Sequence, residues 1–403
     1  MFHFLKKRDK RIYLDHAATT PIDASVLRVM QPLLREQFGN PGSIHSEGLA
    51  AKKALESSRK QIAQVIHAAS DEVIFTGSGT EANNLALFGA VETWKSLYKT
   101  SPHIITTTIE HHSVLVPVKK LEQWGVRVTY VYPNREGVIN PEDIKRALTP
   151  DTVLVSVMYA NNEIGTMQLI AEIAKLIRSW RKDHLQTAPY PLFHSDMCQA
   201  PGQLSLDVPK LGVDMASFTG QKMYAPKGTG FLYKKREIVV APQIVGGTQE
   251  RRLRAGTENI AGVVGMAYGL VHAEEIRDAE VNRLTQLRDY FIGQLLLIDG
   301  TVLNGSQEER LANNINVSFP NLVGEQMVIE LDRRGVGVAT GSACTTEAVE
   351  PSHVIMSLGD KDEELLRRAR GAVRFSMGRT TTKKDLDYVL ECVKKIIEKQ
   401  KRF

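Results

Sequence analysis

Lys222 sits just past an apolar run, in the order Ser217-Phe218-Thr219-Gly220-Gln221-Lys222, and the turn Ala225-Pro226-Lys227-Gly228 follows it. An amine at a strand's end, beside hydroxyl and amide groups, can form a Schiff base once its pKa is lowered. A surface lysine in a Gly/Pro turn would look the same. Phe75-Thr76-Gly77-Ser78-Gly79-Thr80-Glu81 places glycines between a strand-like run and a helix that begins near Thr80. Exposed N–H groups and a helix dipole suit such a turn to phosphate. It matches neither the dinucleotide nor the Walker A fingerprint, and a plain tight turn fits equally well. His194-Ser195-Asp196-Met197-Cys198-Gln199 lies where a strand ends, the place open α/β sheets put ligand groups. His194, Asp196, His111 and His112 offer metal-ligating atoms, but no CxxC or HExxH pattern accompanies them, so no metal is expected.

Two further signals lie late in the chain. Ala339-Thr340-Gly341-Ser342-Ala343-Cys344-Thr345-Thr346 surrounds a cysteine with small residues. In a mobile, exposed loop such a thiol can act as a nucleophile. Cys198 and Cys392 sit in strand-end and helix contexts and are expected to pack. Arg374 interrupts the strand-like GAVRFS run (371–376). A buried arginine there needs an anion, either a substrate carboxylate held bidentately or a structural partner.

The elements around these residues alternate. Residues 46–66 carry apolar positions at helical spacing, and a β-rich run leads into the glycine turn and an amphipathic helix. Runs at 103–110, 127–133, 152–160, 191–196, 213–220 and 229–235 complete a set of about seven strands. Strands separated by helices imply a mostly parallel sheet with helices on both faces. The last third changes character. One long helical stretch at 261–297 is followed by a strand at 314–320, a helix near 324–334, the 371–376 strand and a final helix from about 383 to 400. This is the pattern of a second, smaller α+β domain. The expected division is a large domain over 16–262, with 1–15 and 263–403 forming the small one.

Composition narrows the functional class. The 403 residues are 42% hydrophobic, 24% charged and 6% aromatic, with 30 Gly and 16 Pro, which excludes a disordered or fibrous chain. Lys and Arg total 51 against 46 Asp and Glu, giving +5, less than a dedicated nucleic-acid binder carries. Three cysteines exclude a disulfide framework and fit a reducing compartment. No run approaches the ~18–20 apolar residues of a membrane span. The basic N-terminus MFHFLKKRDKR has no apolar stretch behind it, so it does not read as a secretory signal, and the cytoplasm is the expected location.

Taken together the chain resembles a fold type I pyridoxal-phosphate (PLP) enzyme of the class-V aminotransferase-like family. More narrowly it resembles the NifS/IscS-like branch of the cysteine desulfurases. The resemblance runs from YLDHAATTP (13–21) through FGNPGSIH (38–45), GSGTEANN (77–84), Glu110-His111-His112, NNEIG (161–165), Asp196 and Gln199, the lysine segment, RAGTEN (254–259) and GSACT to RFSMGR (374–379). It implies that Lys222 holds the cofactor as a Schiff base, Asp196 pairs with the pyridinium nitrogen and Gln199 with the phenolic oxygen. It implies that His111 stacks on the ring and takes part in proton transfer. Gly79, Thr80, Thr219 and Gln221 would hold the phosphate, with Thr257 reaching in from a second subunit of a homodimer. Asn162 would contact cofactor and substrate, and Arg374 the substrate carboxylate. L-cysteine would become L-alanine, leaving a persulfide on Cys344 in a loop at about 339–350. The sulfur would pass to an acceptor protein, for iron–sulfur cluster assembly or tRNA thiolation.

The resemblance has two departures. The branch usually carries His before the Schiff-base lysine, where this chain has Gln221. The sequence also ends at Phe403, soon after the final helix, where relatives serving an iron–sulfur scaffold often carry a longer tail. A plain aminotransferase needs no mobile cysteine, so Cys344 favours the desulfurase. The rivals are a selenocysteine lyase or another PLP lyase on the same scaffold, and a catalytically silent binding member.

Overall fold

The computed structural model describes residues 11–184, 190–319, 322–341, 351–360 and 362–400. Cys344 and most of its expected loop lie outside the described residues.

The chain begins with strand β1 (Ile12–Tyr13) and helices α1 (Ala24–Arg35) and α2 (Ser46–Val65). Then β2 (Val73–Thr76), α3 (Gly79–Leu97), β3 (His103–Thr107), α4 (His112–Gln123), β4 (Arg127–Val131), α5 (Pro141–Ala147), β5 (Thr152–Ser156), α6 (Ile170–Asp183), β6 (Leu192–Asp196), α7 (Val208–Leu211), β7 (Met215–Thr219) and β8 (Gly230–Lys234) build a seven-stranded sheet. Its order is β2-β8-β7-β6-β5-β3-β4, with only β8 running against the rest. Strands β3, β5, β6 and β7 are buried along their whole length, as continuous apolar runs covered on both faces must be. Because the strands are parallel, the residues that follow β2, β3, β5, β6 and β7 all emerge at one edge of the sheet.

The rest of the chain is α8 (Ile260–Glu275), α9 (Arg277–Leu296), β9 (Val302–Leu303), β10 (Asn314–Ser318), α10 (Gly324–Asp332), β11 (Val336–Gly337), α11 (Glu363–Arg370), β12 (Ala372–Ser376) and α12 (Lys383–Gln400). A three-stranded antiparallel sheet, β12-β10-β9, shares an apolar core with α9, α10 and α12 around Phe291, Phe375, Val317 and Val389. Strand β1 pairs with β11, and Ile12 and Leu14 enter that same core.

The structure corrects one element. The helical stretch expected at 261–297 is two helices, broken at Ile276, where ψ is 0°. Helix α8 packs on α1 and α2, with Val263, Met266 and Leu270 in the core beneath the large sheet, whereas Leu284, Phe291 and Leu295 of α9 fill the small core. The two helices therefore serve different cores. Neither Gly nor Pro marks the break; it follows from which core each helix faces. Gly265 allows the close approach of α8 to α1, since a Cβ there would lie 2.5 Å from Met30 Sδ. No helix among the described residues is long and apolar enough to cross a membrane.

Candidate active site

A cavity of about 210 Å³ opens at the carboxyl edge of the large sheet. It is lined by Ala17, Ala18, Ser78, Gly79, Thr80, His111, Ser113, Met158, Ala160, Asn162, Asp196, Cys198, Gln199, Thr219, Gln221, Lys222 and Arg374. Of the residues that the resemblance assigns to the site, all but Thr257, which stands exposed in the loop before α8, and Cys344 meet in this wall.

One end of the cavity is built for an anion. Ser78 caps α3 by accepting the Glu81 N–H at 3.1 Å, which leaves the Gly79 and Thr80 amides at a 19-residue helix's N-terminus. Gly79 must lack a side chain: a Cβ there would lie 2.5 Å from Cys198 Sγ and 3.2 Å from Thr219 Cβ. Thr219 Oγ1 donates to Gln221 Oε1 at 2.8 Å, so the Gln221 amide presents its N–H₂ as a remaining donor. These small, donor-rich groups suit a phosphate.

The middle of the cavity carries the charge. Asp196 Oδ1 accepts the Cys198 N–H at 2.9 Å, and Oδ2 accepts Asn83 Nδ2 at 2.8 Å. Burial acts to raise this carboxyl, but the His111 ring, the Cys198 N–H and the Lys222 ammonium outweigh it and hold it below the usual carboxylate range. Asp196 is thus a buried carboxylate, as a pyridinium partner must be. His111 is the N-cap of α4: its Nδ1 accepts the Ser113 N–H at 3.1 Å and lies 2.7 Å from Ser113 Oγ. Burial, then the Lys222 charge, pushes its pKa down to about 4, so the ring is neutral. Lys222 follows β7 in a single 3-10 turn (Gly220–Lys222) and has no hydrogen-bond or ion partner among the described residues. Gln199 Nε2 donates to Ala17 O at 3.1 Å, which ties the start of the chain to this wall.

At the third side, Arg374 is almost fully buried in β12. One terminal nitrogen donates to Asn162 O at 3.0 Å, the other to Asp15 Oδ1 at 2.7 Å, and Nε has no partner. The structural ion pair envisaged for this arginine therefore exists, yet it leaves a buried donor free. Gly341, and Ser352 one residue past Pro351, flank residues 342–350, and both abut Glu163. Ser352 Oγ donates to Glu163 Oε2 at 2.5 Å, next in sequence to the cavity-lining Asn162.

Several candidates take other parts. His194 is spent on neighbouring strands, Nδ1 with Ser156 Oγ and Nε2 with Ser217 Oγ, each at 2.9 Å. Among the described residues no group of three or more His, Cys, Asp and Glu is placed to hold a metal. Cys198 and Cys392 are both free and buried. Burial and the Asp196 charge push the Cys198 thiol well above its ordinary value, so it remains a protonated packing group. Sequence reasoning missed Asn83, Ser113 and Asp15. Asn83 alone had a readable signal, a polar residue on the buried face of α3 between Ala82 and Leu85.

This arrangement is that of an α/β protein whose cavity suits a phosphate-bearing ligand, with a buried carboxylate and a lysine in its wall. The chain belongs to the aminotransferase class-V family, a family of PLP-dependent enzymes, whose model matches residues 12–389. A cysteine desulfurase IscS of Dictyoglomus turgidum is 44% identical over 97% of this chain and 95% of its own length. One from Methanosarcina thermophila is 40% identical over 97% and 93%. A solved NifS-like protein superposes with a TM-score of 0.88 at 34% identity, covering 96% of this chain and 99% of its own.

Proposed function

We propose the following division of labour for this chain, a PLP-dependent cysteine desulfurase. The observation that carries it is the meeting of Lys222, Asp196, the Gly79–Thr80 helix terminus and Arg374 in one cavity. The residues fit the cofactor: a phosphate cradle that a Cβ would fill, a buried carboxylate and an amine without a local partner. When bound, PLP supplies a positively charged ring that withdraws electrons from the substrate's Cα.

Gly79, Thr80, Thr219 and Gln221 hold the phosphate. Lys222 Nζ bonds the cofactor and later takes and returns the substrate's Cα proton. Asp196 keeps the ring nitrogen protonated, and Gln199 holds the phenolic oxygen. His111, neutral and with Nδ1 engaged by Ser113, would offer the bound cofactor a donor through Nε2. Arg374 and Asn162 hold the substrate carboxylate, which would add a second anion to the guanidinium already paired with Asp15. The Cys344 thiolate attacks the sulfur of L-cysteine. The substrate's Cβ–S bond breaks as the S–S bond forms, and Cβ gains a proton. L-cysteine and the Cys344 thiol thus become L-alanine and a Cys344 persulfide, with no external oxidant or reductant. The borders of the Cys344 segment at Glu163 support delivery of the thiol to this side of the cavity.

The active form is a homodimer, in which the exposed Thr257 completes the partner's phosphate site. An acceptor protein in the cytoplasm takes the sulfur onward, to iron–sulfur cluster assembly or tRNA thiolation. Purified protein given L-cysteine is expected to form alanine and a persulfide that mass spectrometry maps to Cys344. Cys344→Ala is expected to keep the cofactor's visible absorption and lose persulfide formation. Alanine and persulfide at the native rate from that variant would overturn the nucleophile assignment.

A further inference from the structure

Asn83 lies in the first turns of α3, fully buried, behind the cavity wall. Its Nδ2 donates to Asp196 Oδ2 and to Ser113 Oγ, both at 2.8 Å. The carboxylate can only accept, so the amide is fixed with its nitrogen toward Asp196. Ser113 Oγ accepts from Asn83, and its one hydrogen then goes to His111 Nδ1, 2.7 Å away. The chain of bonds has a single direction, from Asn83 through Ser113 to His111.

We propose that Asn83 is a positioning residue: one amide fixes both the Asp196 carboxylate and, through the Ser113 hydroxyl, the His111 ring with its proton on Nε2. The inference rests on the reading of Asp196 and His111 as cofactor residues. It explains why an amide occupies this spot on an apolar helix face. An apolar side chain would strip Asp196 of one of its two bonds and free the Ser113 hydroxyl to rotate. An acid would reverse the polarity, because residue 83 would then accept from Ser113 and share a proton with Asp196.

The test is a double-mutant cycle on ¹⁵N-histidine-labelled holoenzyme, with His111 assigned by its loss in His111→Gln. Asn83→Asp has the same shape and turns the Ser113 hydrogen away from His111. Ser113→Ala removes that hydrogen outright. Each is expected to move the His111 Nδ1 resonance toward that of a less hydrogen-bonded ring nitrogen, and the double variant is expected to move it no further. Asn83→Asp should also weaken PLP binding about ten-fold by placing a second acid beside Asp196. An unmoved His111 signal in Asn83→Asp, or shifts that add in the double variant, would sink the proposal, because a residue that only packs cannot produce the shared effect. Native protein that fails to bind PLP would instead sink the cofactor reading, while the His111 pattern stays readable in the unloaded protein.

Discussion

At Gly79 one methyl group is enough to separate the helix that carries the phosphate cradle from the strands beneath it. Cys198 cannot step aside easily, since its N–H is bound to Asp196 Oδ1 and its Sγ lies 3.7 Å from Ser217 O. A Cβ placed 2.5 Å from that sulfur must displace either α3 or the Asp196 loop. Gly79→Ala is therefore expected to cost about 1–3 kcal/mol, the usual range for overpacking a filled interior. It should weaken PLP binding as well, because both displaced groups line the cavity proposed to hold the cofactor. Removing the sulfur relieves the closest contact and leaves only Thr219 Cβ at 3.2 Å. Cys198→Ala should accordingly restore part of the loss, with a coupling energy visible in a cycle of denaturant midpoints. If Gly79→Ala unfolds at the native midpoint, the close approach of α3 to Cys198 is wrong.

The turn that ends β2 and begins α3 is braced from a distant part of the chain. Glu81 Oε2 accepts the Gly77 N–H at 2.8 Å, and Oε1 accepts Arg254 Nε at 2.9 Å. Glu250 pairs with Arg59 through two bonds of 2.7 Å, and its Oε2 also accepts the Phe75 N–H at 2.8 Å. Glu250, Arg251 and Arg252 have φ values of 43°, 56° and 66°, three consecutive non-glycine residues in the left-handed region. Each such residue costs on the order of 1–3 kcal/mol unless its surroundings hold it. The buried Arg59–Glu250 pair is what holds the first of them. Glu250→Gln leaves Arg59 only the half-exposed Glu56 carboxylate, 3.2 Å from its Nε, so a loss of about 1–3 kcal/mol is expected in urea unfolding, and Arg59→Met in the same chain should recover part of it. A Glu250→Gln midpoint equal to native would show that the pair does not hold the turn. This brace was not legible in the sequence, because its partners lie 191 residues apart and the helical spacing around Arg59 does not say what it pairs with. What was legible is local. Apolar runs ending in Asp196 and in Thr219, and glycines before α3, announce strand ends and a helix start through turn chemistry alone. The break at Ile276 and the amide of Asn83 depend on which surface packs where, and periodicity carries no such information.

Across the whole molecule, folding buries titratable groups that pull stability in opposite directions with pH. His103 bridges Thr152 and Thr129 with its two ring nitrogens, each at 2.9 Å, and His194 likewise bridges Ser156 and Ser217. These two rings stitch adjacent strands of the large sheet, while His111 caps α4. Burial is the main cause that pushes all three down to about 4 from an ordinary 6.5. Between those values the unfolded chain binds more protons than the folded one, so stability is lost as pH falls from 6.5 toward 4 and is fully present above 6.5. Glu110 works the other way. It is fully buried, its Oε1 accepts from Thr107 Oγ1 at 2.8 Å and from Met158 N at 2.9 Å, and its Oε2 has no partner. Burial raises its pKa from 4.5 to about 8, so the folded protein keeps a proton that the unfolded chain has released. That contribution is present below 4.5 and is lost as pH rises to about 8. Of these four groups, the three histidines outweigh the one acid below 6.5, and above it the acid alone still titrates. The melting temperature of protein stripped of PLP is thus expected to rise from pH 4.5 to about 6.5 and to fall between 7 and 8. Glutamine copies the shape of a protonated glutamic acid, with its carbonyl still able to accept from Thr107 and Met158. Glu110→Gln should therefore abolish the alkaline fall and leave the acid limb untouched. If the fall persists in that variant, the proton is held elsewhere and Glu110 is ionised in the folded protein.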